Sequence, residues 1–357
     1  MPKAGTQVRP WRMRLRQALM IVVNVVLALS LVAVVLNRMN EWYPTWSSFH
    51  PTIHVSEEKD VGQPLPAVQA NAWVTRKASD LQAHPEKNPA FAGHSWSKSA
   101  EGDYLTVEVP GSGVGDKTTK TLLWLPPSYL SNPDRFYPVL VAFPGTPGTP
   151  SAYRKKMDIG QMVELASQRK EMREAIVVSP DVFPRNYDTE CLDSTDGKIT
   201  VDSYITSPWR NWLMKNLRIV PDRQAWAAIG YSAGGWCAAM VSMKHPDIYA
   251  YGINMSGYFW PTYLGKPLRP EEDRVYDLPT IAQEQAPDSH LWFIAAKNDT
   301  VPIEHWEKFV DKVHAPTSLH TVLTDNGGHA WPVWRAGTPR AFAWLGRISP
   351  EFAWQAA

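Results

Sequence analysis

The sequence contains 357 residues, of which 44% are hydrophobic and 20% are charged, and these proportions exclude an intrinsically disordered chain. The 36 Lys and Arg residues against 35 Asp and Glu give a formal net charge of +1, so the composition gives no indication of nucleic-acid binding. Only two cysteines are present, which excludes a disulfide-rich scaffold and a cysteine-rich metal module.

The first predicted element is an apolar segment, residues 18–36, in which only Asn24 and Ser30 are polar. Its length matches the roughly 20 residues that cross the hydrocarbon core of a bilayer. Basic residues before the segment, and Glu41 soon after it, predict a cytoplasmic N-terminus at 1–17 and an extracytoplasmic chain beyond the membrane. A cleaved signal peptide is the alternative, but its apolar core would be shorter, about 7–15 residues, and would end at small residues.

Residues 37–100 contain repeated prolines and many Ser, Ala and Gln residues, without sustained periodicity. This composition predicts an extracytoplasmic linker that is mostly extended, with some turns packed on the main body. Residues 101–357 are expected to form one catalytic domain.

Within 101–357, strand-like runs come first and then alternate with helix-like runs. The predicted strands are residues 104–109, 121–125, 138–143, 175–179, 225–230, 249–255, 291–296 and 320–323. The predicted helices are residues 158–169, 202–217, 233–244, 302–313 and 331–345. This order indicates an α/β domain with a mostly parallel central sheet and helices on both faces.

A nucleophile motif lies between one predicted strand and the next helix. Residues 230–234 read GYSAG and fit G-x-S-x-G. In the α/β-hydrolase fold this strand–turn–helix context presents a serine above the carboxyl edge of the sheet. Ser232 is therefore the candidate nucleophile.

A serine hydroxyl needs a base, and the chain order of this fold is Ser, then Asp or Glu, then His. Several histidines follow Ser232: His245, His290, His305, His314, His320 and His329. His329 is favoured because it lies in a glycine-rich loop, residues 326–331, just before the last predicted helix.

Two aspartates compete for the role of the acid that orients the histidine. Asp299 directly follows the predicted strand 291–296, and the carboxyl ends of parallel strands face the active-site crevice. Asp311 lies one helix further along the chain and is the alternative.

The developing oxyanion needs two N–H donors. Ala233, directly after the serine, is expected to supply one of them. Thr146, in the loop after strand 138–143, is expected to supply the other, because Pro147 has no N–H. Gly145 is the second choice.

These motifs give the chain a family resemblance over roughly residues 101–350. It resembles the esterase D-type α/β-hydrolases, which include the trehalose mycolyltransferases. The similar stretches are TSPWRNWL at 206–213, AAIGYSAGG at 227–235, His245-Pro246, MSG at 255–257 and GHAW at 328–331. DTEC at 188–191 together with Trp236-Cys237 is similar to a branch of membrane-anchored actinobacterial esterases.

Two features depart from the mycolyltransferases. Their triad acid lies on the helix that carries Asp311 here, which keeps Asp311 open as the acid. Their oxyanion loop has an arginine for sugar binding, whereas residues 146–150 read TPGTP and the first arginine is Arg154.

The resemblance and the motifs together predict a membrane-anchored, extracytoplasmic serine esterase of α/β-hydrolase fold that acts on an acylated envelope lipid or glycolipid. An acyltransferase that moves the acyl chain to a sugar hydroxyl is the first alternative, and a non-enzymatic envelope-binding protein is the second. No cofactor and no metal are expected, because the acidic loop at 181–196 does not have EF-hand spacing.

Two further expectations concern the surroundings of the serine. Cys191 and Cys237 are both expected near the carboxyl edge of the sheet in an oxidising compartment, which predicts a disulfide between them. The long segment 258–289 between two predicted strands is expected to roof the serine.

Overall fold

A single sheet forms the centre of the structure, a computed structural model that describes residues 10–40, 53–96, 102–262 and 275–355. Among these residues nine strands contribute to the sheet, in the spatial order β1-β9-β8-β7-β6-β4-β5-β3-β2. The strands are β1 (Val55–Gly62), β2 (Asp103–Pro110), β3 (Thr118–Leu125), β4 (Val139–Phe143), β5 (Ile176–Pro180), β6 (Trp226–Tyr231), β7 (Tyr251–Met255), β8 (His290–Ala296) and β9 (Ser318–Thr324).

Six neighbouring strands in the middle of the sheet run parallel: β5, β4, β6, β7, β8 and β9. At one edge β3 and β2, and at the other β1, are antiparallel to their neighbours. The central strands β4, β5, β6 and β7 are buried at every position. Continuous burial is expected of parallel strands that are covered on both faces.

The helices of the described residues are α1 (Pro10–Asn40), α2 (Asp80–Ala83), α3 (Ser128–Ser131), α4 (Ile159–Gln168), α5 (Val201–Thr206), α6 (Pro208–Asn216), α7 (Ala233–Lys244), α8 (Leu278–Glu284), α9 (Thr300–Val310) and α10 (Trp331–Ile348). Several of them cover the two faces of the sheet. Helices α4 and α10 share one core with the sheet, and α6, α7, α8 and α9 share the core on the other face. The predicted mostly parallel sheet with helices on both faces is confirmed.

The predicted linker is wrong for Val55–Gly62, which is a strand of the sheet and not an extended tether. Strand β1 pairs with β9 over its whole length, and Ala78 and Phe91 are buried in the core. The sequence of β1, VSEEKDVG, gives no apolar alternation because it is an edge strand with both faces largely exposed. The folded body therefore begins before residue 101.

The predicted helix 202–217 is two helices, α5 and α6, which meet at Ser207. Ser207 has φ −128° and ψ −83°, outside the helical region. The residue before a proline is disfavoured in helical conformation, and Pro208 can only begin the next helix.

Helix α1 extends beyond the predicted span 18–36 at both ends. In the part of the chain that the structure describes, no helix combines the length and the apolar character that a membrane crossing requires. The side chains of Ala33 and residues 35–36, which belong to the predicted span, lie outside the described part.

Candidate active site

Ser232 occupies a sharp turn between β6 and α7. Its backbone has φ +56° and ψ −131°, a conformation that a residue with a side chain rarely adopts. Its N–H donates to Met255 O at 2.9 Å, so the turn is tied to the neighbouring strand β7. The result is a serine at the carboxyl edge of the sheet.

The two glycines of the motif are required by close backbone approach. A Cβ atom at Gly230 would lie 1.8 Å from Gly234 O, and one at Gly234 would lie 2.0 Å from Phe143 O. Neither position has room for a side chain unless the backbone moves. The turn can therefore pack against β4 only with glycine on both sides of Tyr231-Ser232-Ala233.

The structure brings the predicted serine, histidine and aspartate into one hydrogen-bonded chain. His329 Nε2 lies 2.8 Å from Ser232 Oγ, and His329 Nδ1 lies 2.9 Å from Asp299 Oδ2. The Asp299 side chain is 4% exposed, whereas that of His329 is 27% exposed. The acid is thus shielded from water, while the histidine faces the cavity where a substrate would enter.

Loops at the ends of neighbouring parallel strands position these groups. Asp299 follows β8 and precedes α9, and its N–H donates to Ala296 O. His329 lies between β9 and α10, and its ring packs against that of Trp334 in a T-shaped arrangement at 5.3 Å between centroids. Asn298 Oδ1 accepts a hydrogen bond from Gly328 N–H at 3.0 Å and so links the two loops.

Asp311 lies elsewhere. It caps the C-terminal end of α9, at the opposite end of this helix from Asp299, and it is exposed. The aspartate that meets His329 is Asp299. The alternative acid of the sequence analysis is therefore not brought to the histidine.

The competing histidines have other partners. His245 contacts Asp202, His290 contacts Ser318, and His320 contacts Asp60. His305 is buried, accepts a hydrogen bond from Phe259 N–H and stacks on Trp260 at 3.4 Å. Burial, together with the charge of Lys308, lowers the pKa of His305 to about 3.

The two predicted oxyanion donors both belong to segments next to the serine. Ala233 is the first residue of α7, and the first-turn N–H groups of a helix have no partner within the helix. Thr146 lines the same cavity as Ser232. The loop passes close to the serine, since a Cβ atom at Gly145 would lie 3.0 Å from Ser232 Cβ.

Ser232 and His329 open into a cavity of about 680 Å³. Aromatic and other apolar groups form much of its wall: Tyr231, Trp331, Trp334, Pro147, Ala152 and Ala330. Tyr231 packs on Trp331 at 4.6 Å and stacks on Trp334 at 4.8 Å between ring centroids. Such a wall can hold the apolar part of a ligand beside the serine.

Tyr231 is the neighbour of Ser232 that sequence reasoning missed. Burial raises the pKa of Tyr231 to about 12, and a backbone hydrogen bond from Gly145 partly opposes this shift. The phenol therefore stays neutral at ordinary pH. Tyr231 is the first x residue of G-x-S-x-G, and Trp331 and Trp334 follow His329 in the chain. These aromatic residues next to the serine and the histidine are the sequence signal that could have indicated an aromatic wall.

Cys191 and Cys237 are joined in a disulfide that connects the acidic loop to α7 (S–S 2.01 Å). Next to it, the carboxylate of the fully buried Glu190 accepts hydrogen bonds from Tyr258 Oη at 2.6 Å and Thr262 N–H at 3.0 Å. Trp236 Nε1 donates to Glu190 O at 2.8 Å. Glu190 thus binds the beginning of segment 258–289 to the helix that carries the serine.

Segment 258–289 does not line the cavity in the residues that the structure describes, which are 258–262 and 275–289. Helix α8 packs instead on α7 and α9. The expected roof over the serine is therefore wrong for these residues, because their aromatic and apolar side chains are used in the core. Residues 263–274 of the segment lie outside the described part.

The carboxylates of the acidic loop, residues 181–196, include groups that accept hydrogen bonds within the protein. Among the described residues no group of three or more His, Cys, Asp or Glu side chains is arranged to hold a metal ion. Glu190 is engaged by Tyr258 and Thr262, and Asp193 by Ser203.

The model of the Esterase family matches residues 112–345, well over half of the chain. The chain belongs to the Esterase family. This membership confirms the predicted relationship to α/β-hydrolase esterases. The matched range contains the G-x-S-x-G motif at 230–234, Asp299 and His329.

Two curated proteins are similar in sequence. An uncharacterized protein of Corynebacterium glutamicum is 26% identical over 276 residues, which cover 68% of this chain and 61% of that protein. The MPT51 antigen of Mycobacterium leprae is 31% identical over 67 residues, which cover 19% of this chain and 22% of that protein. This chain therefore spans less than two thirds of the length of either relative.

Solved structures confirm the α/β-hydrolase-like fold. An S-formylglutathione hydrolase from Agrobacterium tumefaciens has a TM-score of 0.60 at 18% identity, covering 71% of this chain and 98% of that one. MPT51 of Mycobacterium tuberculosis has a TM-score of 0.51 at 16% identity, covering 69% and 99%. At these identities the likeness is one of fold alone.

Proposed function

We propose that this esterase works through a Ser232–His329–Asp299 triad and an acyl-enzyme. The observation that carries the proposal is the continuous hydrogen-bonded chain from Ser232 Oγ through His329 to the buried Asp299 carboxylate. A serine hydroxyl is a weak nucleophile until a base takes its proton, and this geometry provides that base.

In the proposed first step, Ser232 Oγ attacks the ester carbonyl while its proton moves to His329 Nε2. Asp299 holds the proton on Nδ1, which fixes the tautomer and stabilises the imidazolium that forms. His329 then gives its proton to the alcohol oxygen as this leaves. Water then attacks the acyl-enzyme while His329 takes its proton. The acid is released, and His329 returns the proton to Ser232 Oγ.

The N–H groups of Ala233 and Thr146 are proposed to hold the oxyanion. The position of Ala233 at the start of α7 supports the first assignment, because that N–H has no helical acceptor. The second is supported by the placement of Thr146 on the cavity wall.

The decisive test is Ser232→Ala in the full chain, assayed on p-nitrophenyl butyrate. Loss of the nucleophile should lower kcat by at least about 10³-fold without unfolding the protein. Ser131→Ala, which changes an exposed serine in α3, is the matched control and should keep wild-type turnover. Near-normal hydrolysis by pure, folded Ser232→Ala would contradict the triad, and an inactive wild type would favour the non-enzymatic alternative.

For the substrate we propose an acylated lipid or glycolipid of the cell envelope. The aromatic wall formed by Tyr231, Trp331 and Trp334 supports an apolar acyl chain beside the serine. Labelled envelope lipids incubated with the enzyme should release free acid. Absence of acid release from every lipid class, with p-nitrophenyl butyrate still hydrolysed, would exclude this substrate class.

Acyl transfer to a sugar hydroxyl is the second candidate, favoured by the likeness to MPT51 and by the resemblance of the GHAW stretch to the mycolyltransferases. Transfer differs from hydrolysis only in the hydroxyl that attacks the acyl-enzyme. Product analysis with and without a sugar acceptor separates the two. Acyl-sugar formation that competes with acid release would establish transferase activity.

We further propose that α1 anchors the enzyme with its N-terminus in the cytoplasm and its catalytic body outside. The charge difference across segment 18–36 supports the orientation. Large apolar side chains of α1 are exposed to solvent: Leu19, Met20, Ile21, Val22, Val23, Val25, Val26, Leu27, Leu29, Leu31, Val32 and Val34. Protease added to intact cells should remove a C-terminal epitope tag and spare an N-terminal one, and the reverse pattern would overturn the orientation.

A further inference from the structure

Two lysines, Lys155 and Lys156, line the cavity that contains Ser232 and His329. Both are exposed. Thr149 and Ser151 belong to the same stretch of the wall. The cavity therefore combines an aromatic part with a polar, positively charged part.

The lysines are carried by a π-helical turn, Tyr153–Met157, whose flanking side chains are buried. Tyr153 Oη donates to Phe143 O at 2.8 Å, at the end of β4, and approaches Ile229 O in β6 at 3.3 Å. These two strands lead into the oxyanion loop and the serine. The lysine backbone is thus fixed relative to the reacting groups, and single π turns are frequent at functional sites.

A third cation joins this turn from α10. Arg335 Nε donates to Lys156 O at 2.5 Å, and its side chain is exposed. Arg335 directly follows Trp334, which packs on the His329 ring. The turn is therefore held from both sides, by the sheet and by α10.

The charged side chains next to Lys155 and Lys156 do not neutralise the positive charge of these two lysines. Arg154 lies over the Tyr104 ring at 5.1 Å, and Asp158 accepts a hydrogen bond from Tyr104 Oη at 3.1 Å, so these two opposite charges flank the same ring. Within the described residues, no carboxylate forms an ion pair with Lys155, Lys156 or Arg335.

We propose that Lys155 and Lys156 bind a negatively charged group, such as a phosphate monoester, on the alcohol part of the ester substrate. The inference rests on the proposed function and specifies its substrate class. The acyl chain lies against the aromatic wall, and the polar alcohol lies toward Thr149, Ser151 and the lysines. Ammonium groups attract phosphate oxygens as point charges, which suits a solvent-exposed site.

The test compares 1-butyryl-glycerol with 1-butyryl-glycerol 3-phosphate in the full chain, purified in a neutral detergent. The wild type should show about tenfold higher kcat/KM for the phosphorylated ester, since two exposed charge contacts each contribute modestly. Lys155→Gln with Lys156→Gln should remove this preference and change the neutral ester by less than about twofold. Lys312→Gln, an exposed lysine outside the cavity, is the matched control.

Two further arms separate the sources of the charge and the two proposals. In one arm, the palmitoyl esters of glycerol and of glycerol 3-phosphate replace the butyryl esters. This arm shows whether an acidic lipid is preferred over the soluble phosphorylated ester. Binding of each ester to Ser232→Ala, measured by calorimetry, reports the charged site without turnover. Stronger binding of the phosphorylated ester, lost in the lysine variant, supports the inference even if no ester is hydrolysed. Equal binding of neutral and phosphorylated esters overturns it, whatever the turnover.

Discussion

Asn298 Oδ1 accepts a hydrogen bond from the Gly328 amide at 3.0 Å, directly beside the 2.9 Å contact between Asp299 and His329. Two consecutive residues after β8 thus hold two consecutive residues after β9. The first contact fixes the backbone of the histidine loop, and the second fixes the imidazole. Asn298 is therefore a positioning residue that acts through His329.

Asn298→Ala should lower kcat about tenfold with little change in KM, because the histidine loop loses a backbone anchor while the cavity wall stays intact. Steady-state kinetics on p-nitrophenyl butyrate measure both parameters. Asn326→Ala is the control in the same loop, since Asn326 Oδ1 has no hydrogen-bond partner among the described residues. A rise in KM with unchanged kcat would show that Asn298 has no positioning role.

Asp299→Asn should lower kcat by about 10³–10⁴-fold, because an amide can no longer hold the required tautomer of His329 or stabilise its charged form. Asp311→Asn should have wild-type activity, since Asp311 lies at the far end of α9. Both variants are compared under the same assay after circular dichroism has verified folding. The assignment fails if Asp311→Asn shows the larger loss.

The Cys191–Cys237 bond closes a loop of 46 residues, for which chain entropy gives about 4 kcal/mol of stability. The paired Cys191→Ser and Cys237→Ser variant should lose a comparable part of the free energy of unfolding in urea titration. Reduction of the wild type is the parallel measurement. Intact mass after alkylation without reductant should show no adduct on the unfolded protein. Two adducts would demonstrate free thiols.

The environment of Asp202 predicts that the folded protein becomes less stable at acidic pH. It is buried, and burial opposes its ionisation, but contacts with His245 at 2.7 Å and Lys244 at 2.9 Å more than compensate and hold its pKa below the ordinary value. A carboxylate with a depressed folded pKa stabilises the protein above its unfolded pKa, near 4, and loses this contribution as the pH falls through the folded pKa.

Asp202→Asn should therefore destabilise the protein by about 3–5 kcal/mol at pH 7, since Lys244 would remain largely buried without its partner. The difference from wild type should shrink toward pH 3. Urea titrations at both pH values measure this. Asp196→Asn, which breaks an exposed pair with Lys198, should leave the unfolding transition almost unchanged. A pH-independent difference for Asp202→Asn would contradict the linkage.

The predictable parts of this molecule are those with a local signal. Ser232 and His329 stand in short glycine-containing motifs, and Asp299 follows an apolar strand, so chain order alone placed them at one edge of the sheet. The structure brings these three together. The break between α5 and α6 at Ser207 also has a local signal, which is Pro208. The amphipathic pattern of residues 202–217 nevertheless predicted one continuous helix.

Other features depend on contacts between distant parts of the chain. Glu190 looks like a solvated acid in an acidic loop, and its burial follows only from the approach of Tyr258, Thr262 and Trp236. The roofing role expected of 258–289 failed for the same reason. The described part of that segment finds its apolar partners in the core rather than above the serine.

Strand β1 has a consequence for the self-association of the protein. Its charged residues face water at the open edge of the sheet, and they are the reason why the sequence does not look like a strand. Among them, Glu58 pairs with Arg340 and Asp60 with His320. Exposed edges of apolar strands recruit other chains, and charged edge strands resist this. A truncated enzyme that begins at residue 101 would uncover β9 beside the histidine loop and should self-associate in light scattering, whereas one that begins at residue 53 should not.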